Sequence, residues 1–225
     1  MANQQQDFRM KSLGFFGNIT ASVTHELNNV IAIINELTGL LDDMRYSVDQ
    51  GQVVESERLE KIRSRFARQV TRGELIIKRL NKFAHTSDYV ILEADLSELL
   101  TNLTELLQRP ANLKNVKMIY EPAAEPMPIT GNIFELQHAI YRCIRLFLDN
   151  AESGAEINLL SEKIADQFRI IIKCAPFSRD IADNPDVQFV GEVIASLDGK
   201  LELNADDNIF SFRLILPVAK SVSDV

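Results

Sequence analysis

Residues 8–48 read FRMKSLGFFGNITASVTHELNNVIAIINELTGLLDDMRYSV, a run without proline. Apolar side chains recur in it at helical spacing through Phe16, Ile19, Val23, Leu27, Val30, Ile34, Leu37, Leu41, Met44 and Val48, which predicts one very long helix. Gly14, Gly17 and Gly39 each weaken that helix by about 1 kcal/mol relative to alanine, so its N-terminal end is expected to fray. Asp49-Gln50-Gly51-Gln52 supplies a turn. Leu59, Ile62, Phe66, Val70, Ile77, Leu80 and Phe83 then mark a second long helix to about Ala84, and two long helices joined by a short turn fold back as a hairpin. Ile31, Ile33, Leu40, Val54 and Ile76 widen the apolar stripe beyond what one partner helix covers. Pairing with a second copy as a four-helix bundle would cover it, as would the C-terminal half of the same chain.

Beyond His85-Thr86-Ser87-Asp88 the pattern changes to short alternating strands and helices, which divides the chain into a helical hairpin at 1–86 and an α/β domain at 87–225. Val90 to Leu92 reads as a strand. Asp95 or Ser97 caps a helix through Leu99, Leu100, Leu103, Leu106 and Leu107 that is expected to end before Pro110. Val116 to Tyr120 is a strand, the three prolines from Glu121 to Ile129 make that stretch irregular, and Ile133 to about Asn150 is a helix. Glu156 to Leu160, Phe168 to Cys174, Lys200 to Leu203 and Phe210 to Leu216 read as strands, with a helix over about Val187 to Leu197; Gly199 and Asp206-Asp207-Asn208 mark turns. The fold class is α+β.

The bulk properties narrow the partners. Across 225 residues, 46% are apolar and 25% charged, the balance of a soluble folded protein. A net charge of −8 disfavours nucleic acid and anionic membranes, which attract positive proteins. No apolar run approaches the roughly 20 residues that span a bilayer, and Met1 to Asp7 lacks the features of a signal peptide, so the chain reads as cytoplasmic. Cys143 and Cys174 each sit in an apolar segment and read as buried free thiols.

The chemistry sits in Ser22-Val23-Thr24-His25-Glu26-Leu27-Asn28-Asn29. Residues four apart share a helix face, so His25 and Asn29 point the same way, with Glu26 about 100° round. A neutral imidazole attacks phosphorus through one ring nitrogen when a carboxylate holds the other ring N–H, and Glu26 is placed to assist. Asn29 is placed to bind a phosphoryl oxygen or to orient a water. Spacing alone leaves the bland reading open, since a lone helical histidine is more often structural.

The run Thr24-His25-Glu26-Leu27-Asn28-Asn29 resembles the His-Glu-x-x-Asn H-box of bacterial two-component histidine kinases. The resemblance implies that His25 is the phosphoacceptor, Glu26 its acid/base neighbour, and Asn29 the polar residue associated with dephosphorylating a partner receiver domain. Many members have proline after that asparagine, where this chain has Val30. The C-terminal half resembles the same kinases' Bergerat-type ATP-binding domain. Gly154-Ala155-Glu156-Ile157 looks like the entry to its central strand, Phe189 to Leu201 like its last helix and strand, and Phe210 to Pro217 like its closing strand.

The nucleotide-binding parts depart from that pattern. Starting the N-box helix at Leu136-Gln137 puts Arg142 and Leu146 where the family has asparagines, and leucine cannot ligate magnesium. Shifting the alignment would bring Asn150 to the magnesium position. Where the family has an Asp-x-Gly-x-Gly loop this chain has Cys174-Ala175-Pro176-Phe177-Ser178-Arg179, with no glycine from Ser161 to Val190. The expectation is a kinase-derived domain without its lid, without ATP and without a metal of its own, the magnesium coming from the partner receiver. The function so implied is histidine phosphotransfer in a phosphorelay by a homodimer. His25 would exchange a phosphoryl group with receiver aspartates, or take it from an upstream histidine kinase. A receiver phosphatase using Glu26 and Asn29, an ATP-dependent kinase, and a non-catalytic dimeric scaffold stand as alternatives. His85 and His138 lack partners at metal-ligand spacing. The basic cluster Arg63, Arg65, Arg68, Arg72, Lys78, Arg79 and Lys82 reads as a solvated face or as a complement to an acidic receiver.

Overall fold

The computed structural model describes residues 2–206 and 208–218, with side chains described from residue 9. Helices α1 (Ala2–Asp49) and α2 (Ser56–Ala84) form the hairpin, and a short 3₁₀ turn, His85–Ser87, follows. Then come β1 (Leu92–Asp95), α3 (Leu96–Leu113), β2 (Lys117–Glu121), β3 (Pro128–Gly131), α4 (Ile133–Asn150), β4 (Glu156–Ile164), β5 (Gln167–Ala175), α5 (Pro185–Ser196), β6 (Lys200–Asp206) and β7 (Ile209–Pro217). Close packing groups the chain into two units, Thr20–Asn81 and a larger one made of residues 1–19 with 82–225.

Helix α1 runs unbroken through its glycines. A Cβ at Gly14, Gly17 or Gly39 would meet nothing within 4 Å, so these residues lie on open helix surface. The turn closes where Gly51 takes φ +80, a conformation open to glycine, and Gln52 N–H donates to Ser47 O at 3.0 Å. The core is Leu37, Met44 and Ile62, with Ile33, Leu40, Val54 and Phe66 packed against it. This corrects the expected stripe. Ile33, Leu40 and Val54 belong to the hairpin's own seam and Ile76 is buried, while Ile31 remains 54% exposed. Leu41, Leu59, Val70 and Ile77 join Ile31 as exposed apolar positions.

The larger unit is built on a five-stranded open sheet of order β2-β4-β5-β7-β6, with β2 parallel to β4 and the remaining pairs antiparallel. β5 is therefore the middle strand; β4, expected to be central, lies one in from the edge. Alternation sends Ile157 and Leu159 of β4, Phe168, Ile170 and Ile172 of β5, and Phe212, Leu214 and Leu216 of β7 into the core. On the other face Arg169 pairs with Glu162 and Arg213 with Glu202. Helices α3, α4 and α5 supply the other layer.

Three local expectations need correction. Strand β1 begins at Leu92, not Val90. Its register is fixed by pairing with β3, Leu92 opposite Gly131, and Val90 and Ile91 are left exposed. Strand β3 itself lies in the stretch read as irregular; Pro128 is its first residue, where a missing N–H costs least. Helix α3 runs through Pro110 to Leu113, because buried Leu106, Leu107 and Ala111 hold the last turn against the lost backbone bond. Its cap is Asp95, which accepts from Glu98 N at 3.0 Å and from Met127 N at 2.7 Å. The α5–β6 turn needs Gly199, since a Cβ there would sit 2.5 Å from Ile215 O. Of the acidic turn that follows β6, Asp207 lies outside the described residues.

The first turns of α1 belong to the larger unit. Phe15 (1% exposed), rather than the half-buried Phe16, carries the apolar stripe. Its ring stacks on His138 at 4.8 Å, meets Phe83 edge-on at 5.2 Å, and lies 4.8 Å from Tyr141. Asn18 Nδ2 donates to Tyr141 Oη at 3.2 Å, and Ser12 Oγ to Glu135 Oε1 at 3.1 Å. This end of the helix is thus covered by the C-terminal half of the same chain.

Candidate functional site

His25 lies on the hairpin unit, on a helix whose opposite face is fixed by buried Val23 and Val30. That phase turns His25 and Asn29 to solvent and leaves Glu26 half-buried toward α2. The Glu26 carboxylate lies 3.9 Å from the Arg72 guanidinium, and no hydrogen bond joins His25 to Glu26 among the described residues. Thr24 Oγ1 donates back to Thr20 O at 2.8 Å, which satisfies the hydroxyl within the helix. The arrangement offers an accessible ring nucleophile, a carboxylate at the adjacent position and an amide one turn away, the groups that in-line phosphoryl exchange needs.

Arg72 is the residue whose pairing with Glu26 the sequence reading missed; its place in the basic cluster was visible, but not its partner. Other members of that cluster are engaged as well. Arg63 makes two hydrogen bonds to Glu60 at 2.8 and 2.6 Å, Arg65 lies 3.5 Å from Glu36, and Lys82 pairs with Glu98. The Arg63 hydrogen bonds hold the Glu60 carboxyl below its ordinary range. Further along the hairpin, Arg58, Lys61, Arg65 and Arg68 outnumber the carboxylates Glu57 and Glu60 in the lining of a cleft of about 470 Å³.

In the larger unit the positions that would serve a nucleotide are otherwise occupied. Leu146 is buried in the core of α4. Arg142 donates from Nε to His138 Nε2 at 3.0 Å and from Nη1 to Asp186 at 3.2 Å, so α4 is tied to the first turn of α5. Asn150, the residue a shifted alignment would offer to magnesium, donates to Leu146 O at 2.8 Å, and its Oδ1 accepts from Arg179 at 3.3 Å. Phe177, in the segment replacing the glycine loop, is buried edge-on against Phe147 at 5.1 Å and beside Phe210 at 5.8 Å. The link from β5 to α5 is short and ends in a compact start to α5, with Pro185 at its beginning and Asn184 Oδ1 accepting from Asp186 N at 2.9 Å. Leu146 offers no oxygen donor to magnesium, and the Arg142 guanidinium and Asn150 amide are engaged within the protein.

His138 is fully buried. Burial pushes its pKa below the ordinary histidine value, against the hydrogen bond to Glu135 that works the other way. Cys143 and Cys174 are free and buried, and burial pushes both thiols up. Among the described residues no group of three His, Cys, Asp or Glu side chains could hold a metal ion, and no helix is long and apolar enough to cross a membrane.

No protein-family model and no curated protein matches the chain. Solved structures do. The nucleotide-free catalytic domain of histidine kinase ThkA superposes with a TM-score of 0.51 at 14% identity, covering 57% of this chain and 97% of that one. Histidine kinase AdeS of Acinetobacter baumannii gives 0.51 at 12%, covering 87% and 98%. ThkA in complex with response regulator protein TrrA gives 0.51 at 15%, covering 97% of this chain and 66% of that one. At these identities the likeness is one of fold, and the fold is histidine kinase-like.

Proposed function

For a chain of histidine kinase-like fold, we propose histidine phosphotransfer between receiver domains, with His25 as the carrier. The observation that carries the reading is the exposed His25 ring on a helix face shared with Asn29 and adjoined by Glu26. A ring nitrogen of His25 attacks the phosphorus of a receiver's aspartyl phosphate, the carboxylate leaves with the electron pair, and the positive charge on the ring is offset by the neighbouring Glu26. Asn29 orients the phosphoryl oxygens. Magnesium arrives with the receiver, where it neutralises charge in the transfer. Receiver domains as partners are supported by the neighbouring ThkA structure, described as a complex with a response regulator. The basic cleft about Arg58, Lys61, Arg65 and Arg68 suits the approach of an acidic surface.

The phosphoryl group comes from another protein rather than from ATP. Buried Leu146, the paired Arg142, the engaged Asn150 and the packed Phe177 support that reading. The protein works as a homodimer, because Ile31, Leu41, Leu59, Val70 and Ile77 leave the hairpin unit with apolar surface that a second hairpin would cover as a four-helix bundle. A receiver phosphatase is the second reading, favoured by the exposure of Asn29 beside His25. Radiolabelled phospho-receiver mixed with wild type, His25→Ala and Asn29→Ala separates the two. Label moving from the receiver onto residue 25 of the wild type supports transfer. Label released as phosphate without ever residing on the protein, and retained by the receiver with Asn29→Ala, supports the phosphatase.

A further inference from the structure

The chain has three histidines, and one of them, His138, is fully buried. The third, His85, follows α2 with its side chain 76% exposed. Its Nδ1 lies 2.7 Å from Asp88 Oδ2, a hydrogen bond in which the ring N–H donates to the carboxylate. The backbone carrying both groups is pinned. Phe83 is fully buried, Thr86 Oγ1 bonds to Phe83 O at 2.6 Å and to Gln137 Oε1 at 3.0 Å, Ser87 Oγ donates to Ala84 O at 2.8 Å, and Asp88 N donates to His85 O at 3.3 Å. A carboxylate on one ring nitrogen fixes the tautomer and leaves the other nitrogen as the nucleophile. His85 has that arrangement built by a side-chain hydrogen bond, which His25 and Glu26 lack among the described residues.

We propose that His85 is a second phosphoryl acceptor, with Asp88 holding Nδ1 and Nε2 open to an activated phosphoryl donor of the phosphoramidate or acyl phosphate class. The Nε2 lone pair forms the N–P bond. In phosphoramidate the P–N bond breaks and ammonia leaves; in an acyl phosphate the P–O bond breaks and the carboxylate leaves with the electron pair. The positive charge on the phosphorylated ring is balanced by the Asp88 carboxylate at Nδ1, the Nδ1 proton passes to solvent water when the ring is neutralised, and no further reactant is needed. The inference does not rest on receiver transfer at His25.

Phosphoramidate and acetyl phosphate, used separately on the full chain, test it, with ³¹P NMR and mass spectrometry reading the site and rate. The variants are His25→Ala, His25→Ala/His85→Ala and His25→Ala/Asp88→Ala, whose circular dichroism should match wild type because the altered side chains are exposed. His25→Ala should take one phosphoryl group on Nε2 of residue 85 from at least one donor, and the His85 double variant none. Removing Asp88 should slow labelling roughly tenfold or more, as expected for loss of an aligned acid/base partner. Absence of label on residue 85 in His25→Ala, or a rate unaltered by Asp88→Ala, overturns the proposal. Either outcome is distinguishable from the receiver experiment on His25, whose label is mapped to residue 25 rather than to residue 85.

Discussion

Replacing Phe15 by alanine tests whether the start of α1 is part of the larger unit's core. The ring is 1% exposed and touches Phe83, Phe134, His138 and Tyr141, with centroids 4.8–5.4 Å away. Burying a phenylalanine side chain contributes about 2–3 kcal/mol by transfer alone. Four neighbouring rings anchored on α2 and α4 cannot all collapse into the space, so a cavity cost is added and the whole loss comes to about 4 kcal/mol. At 1.4 kcal/mol per factor of ten, the best-protected amides should exchange roughly 10³-fold faster. The assay is amide hydrogen exchange on peptides from β5 and β7 in the full chain. Their protection should fall by that factor in Phe15→Ala, and by about tenfold in the milder Phe15→Leu. Acceleration confined to the first turns of α1, with β5 and β7 changed less than a few-fold, would refute the reasoning: Phe15 would then cap a fraying helix rather than fill a core.

Other outcomes follow from the same geometry. His138 faces Glu135 and Arg142 on α4, Asp186 and Phe189 on α5, and Ser12 and Phe15 on α1, and burial lowers its pKa. Its neutral form is favoured by folding, so its contribution is full above the unfolded value near 6.5 and is lost as pH falls from there toward the lower folded value. Urea midpoints measured between pH 7.5 and 5.5 should decline for wild type and decline less for His138→Gln. Ile31→Asp and Ile77→Asp should convert a dimer to a monomer in sedimentation equilibrium while retaining helicity, because both side chains are exposed within one chain; a dimer that survives both would remove the four-helix bundle. Cys143 and Cys174, with thiols pushed up by burial, should resist a disulfide reagent in the native protein and both react in denaturant.

Much of this was legible because the signals were local. The 3.6-residue spacing located α1 and α2, and the Ile133–Asn150 span of α4 follows directly from its apolar positions. The proximity of His25, Glu26 and Asn29 needed only helix geometry. Features that depend on distant partners were not legible. The β1 register is set by Gly131, β3 exists because β1 offers it an edge, and Pro110 stays helical because buried neighbours on either side outweigh its missing N–H. Helical spacing picks out Phe16 rather than Phe15, whose partners Phe134, His138 and Tyr141 lie far along the chain. The pairing of Arg72 with Glu26 likewise required knowing how two helices face each other, which no spacing along one helix reports.

We propose that phosphate reaches His25 from a protein and not from ATP. The most direct measurement offers the same chain two donors in parallel, γ-labelled ATP with magnesium and a labelled phospho-receiver, and maps any phosphohistidine by mass spectrometry. Phosphate is expected on His25 from the receiver, none from ATP, and none on residue 25 in His25→Ala; phosphate on His25 from ATP alone would contradict the proposal.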